Sequence, residues 1–333
     1  MSQEQQEPAH DQAEKSRMTA SLVKKICRDS NLYSTPNLND KLYLHFKGFR
    51  KIENLEEYTG IQALWLEANA IYKIENLSHM KELKCLYLQQ NMLTKLEGLD
   101  SLSNLHTLDV GNNRIPKIEN LEGCPDLDTL NVNDNRLTTS DDIQELTKLK
   151  KLTVLNIMNN KLADESIIEN VFAKMPSLGV LYLKGNPIIN NTKNYRKRMI
   201  SSIPTLNYLD ELPVFDKERR CVMAWARGGV DAEFEERQKI RDEEEETRKN
   251  NLRKFEEMQE KSRQRLIQEN GGTEYKGLYS NYGLDDSDTE GESDDEEDDN
   301  NEDNKEEDVE EEIVEAVFGN IKIEDVTDVD DVE

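Results

Sequence analysis

The sequence predicts an α/β fold, a solenoid of about seven coils with a cap at each end, followed by a long charged helix and a disordered acidic tail. Three observations support this prediction. A short leucine pattern ending in asparagine recurs through the first half of the chain, its copies are evenly spaced, and the carboxy-terminal end is dense in Asp and Glu. Of the 333 residues, 35% are hydrophobic and 34% are charged, so one core can form while part of the chain stays unpacked.

The recurring pattern is L-x-x-L-x-L-x-x-N, which is typical of leucine-rich repeats. Its copies are IQALWLEAN (61–69), LKCLYLQQN (83–91), LHTLDVGNN (105–113), LDTLNVNDN (127–135), LTVLNIMNN (152–160) and LGVLYLKGN (178–186). Their final asparagines are 22, 22, 22, 25 and 26 residues apart, and a degenerate copy, DKLYLHFK (40–47), has Lys47 in the asparagine position. We therefore predict seven coils over residues 40–189.

The middle of each copy predicts a short strand. Because side chains alternate along a strand, Leu64 and Leu66 should point into the core while Trp65 points outward. A single coil cannot cover its own leucines, so neighbouring coils must stack. The outward residues form one column on the concave face: Tyr43, Trp65, Tyr87, Asp109, Asn131, Asn156 and Tyr182.

This column is the candidate protein-binding site. Its first three members are aromatic, and contiguous exposed aromatic side chains are typical of surfaces that bind other proteins. The alternative interpretation is that the rings only shield the sheet and one another.

A second column, the asparagines that end the copies, is assigned a structural role. Each amide can satisfy backbone groups that the bend after the strand leaves unpaired. The members of this column are Asn69, Asn91, Asn113, Asn135, Asn160 and Asn186.

Solenoid ends expose apolar faces and need caps. Within residues 18–39, a helix from Thr19 to Asp29 would place four side chains on one face: Leu22, Val23, Ile26 and Cys27. Residues 190–215 resemble the carboxy-terminal cap of such solenoids, in which the sealing side chains would be Tyr195, Ile203, Leu206 and Leu209.

Residues 216–270 mix 15 acidic with 14 basic side chains and predict a solvated helix supported by charge pairs four residues apart. Gly228 and Gly229 should break it near its start, and its few apolar residues hold no heptad register, so a single helix is favoured over a coiled coil. Residues 1–17 and 271–333 are predicted to be disordered.

The tail has two further features. Ser287, Thr289 and Ser293 each precede an acidic residue by three positions, which makes them candidate phosphorylation sites. The segment IVEAVFGNIKI (313–323) is an apolar island that either forms one face of a short bound helix or has no role.

Composition argues against several functional classes. The net charge is -27, and residues 285–333 hold 26 Asp or Glu against two Lys, so the remainder lacks the basic stripe that nucleic-acid binding needs. No apolar run is long enough to span a membrane, and the amino terminus has no signal-peptide core. The four cysteines lack CxxC spacing, which favours a reducing compartment. We therefore expect a soluble intracellular monomer.

The sequence also contains no recognisable reaction centre. The four histidines do not cluster with cysteines or carboxylates at metal-ligand spacing. The repeats offer no nucleophile with a base, no glycine-rich phosphate loop and no carboxylate dyad. We expect a non-enzymatic protein that needs neither a metal nor another cofactor.

Several segments resemble the dynein axonemal assembly factor 1 family. They are MTASLVKKICRDSNLY (18–33), LNDKLYLHFKGF (38–49), NYRKRM (194–199) and KERRCVMAWARGGVDAEFEER (217–237). LYLHFKGF and AWARGG are more specific than the repeats, which many proteins share. The resemblance implies a cytoplasmic factor, with the cilium as a second location, that helps to preassemble dynein arms for motile cilia. Its implied partners are axonemal dynein chains or chaperone cofactors, and it implies no catalytic residue.

Two other functions stay open on the sequence. The IENL-type coils also resemble the regulatory subunit of protein phosphatase 1, which would make the chain a phosphatase adaptor, although that subunit lacks AWARGG and the acidic tail. A solenoid joined to an acidic tail also resembles the acidic nuclear phosphoproteins that handle histones. Seven coils and the charged helix disfavour this second alternative.

Overall fold

The computed structural model describes residues 17–269, in which the repeats form one nine-stranded sheet. The seven repeat strands are β1 (Lys41–Tyr43), β2 (Ala63–Trp65), β3 (Cys85–Tyr87), β4 (Thr107–Asp109), β5 (Thr129–Asn131), β6 (Val154–Asn156) and β7 (Val180–Tyr182). Each is parallel to the next. The predicted leucine-rich-repeat solenoid is confirmed.

The central leucines of the repeat strands form the core. Leu64 has no exposed surface and pairs in register with Leu42 on one side and Leu86 on the other. Each fully buried leucine contributes roughly 1.5–3 kcal/mol. One hydrophobic cluster extends from Met18 to Val222, so the coils share a continuous core.

Helix α1 (Ala20–Asp29) covers the amino-terminal end of this core. The Thr19 hydroxyl caps the helix by accepting a hydrogen bond from the Leu22 amide at 3.3 Å. Val23, Ile26 and Cys27 are buried, and Leu22 is partly buried against the core. A single 3₁₀ turn, Pro36–Leu38, leads from α1 into β1.

The two longer repeats use their extra residues to form helical turns. Between β5 and β6 lie α2 (Ser140–Ile143) and the 3₁₀ helix Gln144–Lys148, and between β6 and β7 lie α3 (Ile167–Asn170) and the 3₁₀ helix Phe172–Lys174. The 22-residue repeats that connect β1 to β5 contain no helix. The change in asparagine spacing from 22 to 25 and 26 therefore marks this difference.

The carboxy-terminal cap extends the sheet further than the sequence indicated. It consists of α4 (Ile188–Asn191), α5 (Tyr195–Ser202), β8 (Tyr208–Leu209) and β9 (Leu212–Pro213). Strand β8 continues the parallel ladder beside β7, and β9 turns back antiparallel to β8. Ile203, Leu206 and Leu209 are buried, and the Tyr195 hydroxyl donates a hydrogen bond to Asp210 Oδ2 at 3.1 Å.

The charged helix α6 (Asp216–Glu269) is interrupted at Gly229, which has the non-helical angles φ 72° and ψ -154°. The chain reverses there, because Arg220 Nη1 lies 2.6 Å from Glu243 Oε2 and Lys217 pairs with Glu244. Residues 220 and 243 would be about 35 Å apart in a straight helix. Residues 216–228 and 230–254 are therefore two antiparallel arms, called here the first arm and the second arm.

The predicted long charged helix is confirmed, and it is interrupted at Gly229 as the two glycines indicated, but the antiparallel pairing of its two parts was not predicted. Local charge pairs do form, as between Glu233 and Arg237 at 3.0 Å, but Glu244 pairs with Lys217 of the other arm. A mixed charge pattern supports either partner equally well, so only the backbone reversal at Gly229 decides between them. We missed this reversal because the two glycines indicated a break without indicating its direction.

The first arm packs on the carboxy-terminal cap. Val222 is buried in the core cluster, and Arg196 binds Glu218 at 2.6 Å. The chain divides into two compact units at Lys254, and the described part of the second unit continues helical to Glu269. The segments predicted to be disordered, the candidate phosphorylation sites and the apolar island lie outside the described residues, apart from Arg17, which binds Glu53 at 3.1 Å.

Candidate protein-binding face

The third residue of each repeat strand is half-buried and lies on the face of the sheet opposite the buried central leucines. Strand register places Tyr43 beside Trp65 and Trp65 beside Tyr87. The same register continues the column with residues that are all half-buried: Asp109, Asn131, Asn156 and Tyr182.

The three amino-terminal aromatic side chains stack on one another. The ring centroids of Tyr43 and Trp65 are 4.7 Å apart with an interplanar angle of 30°, and those of Trp65 and Tyr87 are 5.3 Å apart at 17°. Such stacked pairs add about 0.5–1.5 kcal/mol beyond their buried area. We call these three residues the aromatic ladder. Its rings are half-buried rather than fully solvent-facing as the sequence suggested, because the parallel register brings them into contact.

The ladder is flanked by exposed and polar groups in the segments that follow strands β1, β2 and β3. Phe46, three residues after the end of β1, is 70% exposed, and its ring meets the His45 ring edge-on at 5.5 Å. His45 Nδ1 lies 3.6 Å from Glu67 Oε1. Gln89 occupies the equivalent position after β3, so a polar row runs beside the ladder.

Burial perturbs the acidic groups of this region. It raises the pKa of Glu67, an effect that nearby Asp109 increases and His45 opposes. It also raises the pKa of Asp109, against the hydrogen bonds from the Gly111 amide at 2.9 Å and from Asn131 Nδ2 at 3.0 Å. Burial, together with the neighbouring Cys85, raises the pKa of Tyr87 to about 12, so its hydroxyl keeps its proton at neutral pH.

The carboxy-terminal half of the column is occupied with internal contacts. The Asn131 and Asn156 side-chain oxygens accept hydrogen bonds from the amides of Asn133 and Met158. The Tyr182 ring lies 5.7 Å from that of Tyr208 in β8. The amino-terminal half, with its ladder and acidic groups, is therefore the better candidate for contact with a partner.

The asparagine column makes the same contacts in successive coils. Asn113 Oδ1 accepts from the Leu93 amide at 2.9 Å, and its Nδ2 donates to the carbonyl oxygens of Leu88, Val110 and Gly111 at 3.0, 3.0 and 3.1 Å. Asn91, Asn135, Asn160 and Asn186 bond equivalently and are buried, and Asn69 is half-buried. Through these contacts each asparagine bonds the backbone of the turn that follows its strand and the backbone of the coil before it.

A second asparagine ladder was missed from the sequence. In the recurring KIENL segments, Asn54, Asn76 and Asn120 have φ near 60°. Asn76 and Asn120 donate to carbonyl oxygens of the preceding coil, Ile52 at 2.7 Å and Leu96 at 2.6 Å, and Asn54 donates to the Met18 carbonyl oxygen of the amino-terminal cap. In the KLEGL copy the position is Gly98, also at positive φ. The signal was present, since Asn and Gly are the residues that tolerate this conformation.

The AWARGG segment contributes to the join between cap and arms. Ala224 is buried, Lys197 Nζ lies 5.8 Å from the centre of the Trp225 ring, and Lys197 binds Glu233 Oε2 of the second arm at 2.6 Å. Gly229 provides the reversal. This segment therefore has a structural explanation.

Within residues 17–269, no group of three or more His, Cys, Asp or Glu side chains could hold a metal ion. In the same range, no helix is both long enough and apolar enough to cross a membrane.

The repeated strands, buried leucines and asparagine turns define a leucine-rich-repeat protein. Residues 88–184 match the family model described as leucine-rich repeat.

Two relatives are similar to this chain over about two thirds of its length. The chain is 56% identical over 234 residues to the leucine-rich repeat-containing protein ODA7 of Chlamydomonas reinhardtii, which covers 70% of this chain and 54% of that protein. It is 66% identical over 222 residues to human dynein axonemal assembly factor 1, covering 67% of this chain and 30% of that protein. The expected resemblance to dynein axonemal assembly factor 1 is thus confirmed. The chain spans about half of the algal relative and less than a third of the human one.

Among solved structures, an internalin from Listeria monocytogenes is 26% identical, with a TM-score of 0.43 and coverage of 56% of this chain and 50% of that chain.

Proposed function

We propose that this protein is a non-catalytic scaffold for the assembly of axonemal dyneins. The observation that carries the proposal is the identity of 56–66%, over about two thirds of the chain, to proteins that include dynein axonemal assembly factor 1. The proposed place of action is the cytoplasm, before dynein arms enter motile cilia. The proposed partners are dynein chains or their chaperone cofactors, held by a single copy of the chain.

The aromatic ladder is proposed as the contact surface. Trp and Tyr dominate the energetically important positions of protein interfaces. Here they are rigid, since each ring is held by stacking, and the exposed Phe46 extends the apolar area beside them. A preordered aromatic surface loses little side-chain entropy when a partner binds.

The process is tested by removing the protein from motile-ciliated cells and examining axonemes by electron microscopy. We expect cilia of near normal length that lack dynein arms, with dynein heavy chains retained or degraded in the cytoplasm. Axonemes with intact dynein arms would overturn the proposal. A nuclear protein, or altered phosphatase activity in cells without motile cilia, would favour the alternatives named above.

The surface is tested by rescue with two matched variants. Trp65→Ala removes the centre of the aromatic ladder, and this variant should fail to restore the dynein arms. Tyr182→Ala lies at the other end of the same column and should restore them. Trp65→Ala breaks two stacked pairs, so it should also cost about 1–3 kcal/mol of stability. Its cellular level must be matched to that of Tyr182→Ala before the rescue is compared.

A further inference from the structure

The polar row beside the aromatic ladder contains two buried acceptor atoms, Glu67 Oε2 and Gln89 Oε1, that have no hydrogen-bond partner in the described part of the chain. We propose that Glu67, Tyr87, Gln89 and Asp109, called here the cation-binding cluster, bind an arginine or lysine side chain of the partner protein. The inference rests on the proposed function only in requiring that a protein reaches this face.

The first argument concerns hydrogen bonds. Glu67 Oε2 and Gln89 Oε1 are buried atoms that accept no hydrogen bond from the described part of the chain. The two side chains follow β2 and β3 at equivalent positions, so they lie on strands about 4.8 Å apart. Two neighbouring acceptors call for a group that presents several donors. Guanidinium and ammonium groups do so and accept nothing in return.

The second argument concerns charge. Burial disfavours the ionised form of both Glu67 and Asp109, and the charge of Asp109 adds to this effect at Glu67. Within residues 17–269 neither forms an ion pair with Lys or Arg, and Glu67 has only His45 Nδ1 beside it, at 3.6 Å. By contrast, buried Glu233 of the second arm binds both Lys197 and Arg237. A cation from a partner protein would pair with Glu67 and Asp109, as Lys197 and Arg237 pair with Glu233.

The third argument concerns the ring of Tyr87. One of its faces stacks on Trp65, and the register places Asp109 on the next strand, so its other face points toward β4. A cation between Tyr87 and Asp109 would meet a carboxylate and an aromatic face together. Tyr87 remains neutral, because burial holds its pKa at about 12.

An apolar partner segment fits this cluster less well. It would cover Glu67 and Asp109 without neutralising them, and burying an unpaired carboxylate is strongly unfavourable. The charge of the cluster therefore favours a basic segment over a purely hydrophobic one.

The test uses the full chain and two probe peptides, N-acetyl-Gly-Arg-Gly-amide and its citrulline analogue, which has the same shape without the charge. The chain has two tryptophans, Trp65 beside the cluster and Trp225 in the first arm. Their indole N–H signals in the NMR spectrum, assigned with Trp225→Phe, separate local binding from nonspecific binding to the acidic tail.

We expect the arginine peptide to shift the Trp65 signal saturably and to bind at least about fivefold more tightly than the citrulline peptide. Glu67→Gln should remove most of this preference. Glu56→Gln, which changes an exposed carboxylate in the turn between β1 and β2, should retain it. The tail is identical in all three proteins, so its contribution cancels.

Equal affinity for the two peptides, or an unchanged preference in Glu67→Gln, would overturn the inference. So would equal shifts of both tryptophan signals. These results are independent of the axoneme experiment. If dynein arms are missing from the axonemes but the peptides show no charge preference, only the cation-binding cluster is rejected. If the peptides show the preference but the dynein arms are intact, only the proposed function is rejected.

Discussion

Asn113 shows how a single residue type determines the turn of a coil. Its amide makes four hydrogen bonds to backbone groups of its own coil and of the coil before it. The sequence was sufficient to assign this role, because a buried amide recurring at a fixed position has backbone groups as its natural partners. It was not sufficient for the aromatic ladder, whose ring angles depend on the register between strands.

Replacing Asn113 with alanine should lower the free energy of unfolding by about 2–4 kcal/mol, because several buried backbone groups lose their partners. The control is Asn104→Ala, which removes one exposed hydrogen bond to the Lys81 carbonyl and should cost about 0.5 kcal/mol or less. Urea unfolding of both variants measures the difference. Equal losses would contradict the structural role of the column.

Glu67 should make stability fall as the pH rises. Its pKa is raised in the folded protein, so the folded state holds the proton more tightly than the unfolded state. Its contribution is therefore favourable below the ordinary glutamate pKa of about 4.3 and is lost as the pH rises through the raised value. His45 and Asp109 face the same carboxyl and are left unchanged in this test.

Glu67→Gln should consequently unfold at a higher denaturant concentration than the original protein at neutral pH, and the two curves should converge in acid. Glu122→Gln provides a control of opposite sign, since a hydrogen bond from Lys148 lowers the pKa of Glu122. That variant should gain no stability at neutral pH. A loss of stability in Glu67→Gln at neutral pH would contradict the direction of the shift.

At the scale of elements, the strands could be predicted and the two arms could not. The position of each repeat strand follows from leucine alternation, and register follows from the equal spacing of repeats. The arms meet through contacts such as Arg220 with Glu243, separated by 23 residues. Both arms contain acidic and basic residues, so no local pattern specifies which of them pair across the reversal.

Gly229→Ala should destabilise the reversal between the arms. The angles φ 72° and ψ -154° are accessible almost only to glycine, and occupying them costs another residue about 1–3 kcal/mol. A Cβ atom there would meet nothing within 4 Å, so the cost is conformational and not steric. Hydrogen exchange should become faster in residues 230–254 while the repeat strands keep their protection.

Gly179→Ala is the matched control for this change. Its added Cβ would lie 3.7 Å from the Thr153 carbonyl oxygen, an ordinary contact, and its φ is not positive. It should leave exchange in the arms unchanged. If Gly229→Ala also leaves the arms unchanged, the chain does not depend on glycine for the reversal.

At the scale of the whole molecule, the core extends past the cap that the sequence indicated. That cap was placed to end at residue 215, yet Val222 of the first arm is 2% exposed and belongs to the core cluster. Arg219 also donates to the Pro204 carbonyl oxygen at 2.9 Å. The sequence analysis placed this arm in the charged helix, although its middle is the apolar run CVMAWA (221–226). Sealing of the last coil is therefore shared between the cap and the first arm.

Two truncations distinguish this arrangement from a cap that is complete by itself. A chain ending at residue 215 loses the burial of Val222 and the contacts of Arg196 with Glu218, so its free energy of unfolding should fall by roughly 2 kcal/mol or more. A chain ending at residue 284 keeps every residue of the core cluster and loses 24 units of negative charge, so its unfolding at moderate salt should match that of the full chain. Thermal and urea unfolding of the three proteins measure both effects. If the chain ending at residue 215 is as stable as the full chain, the first arm does not belong to the solenoid's cap.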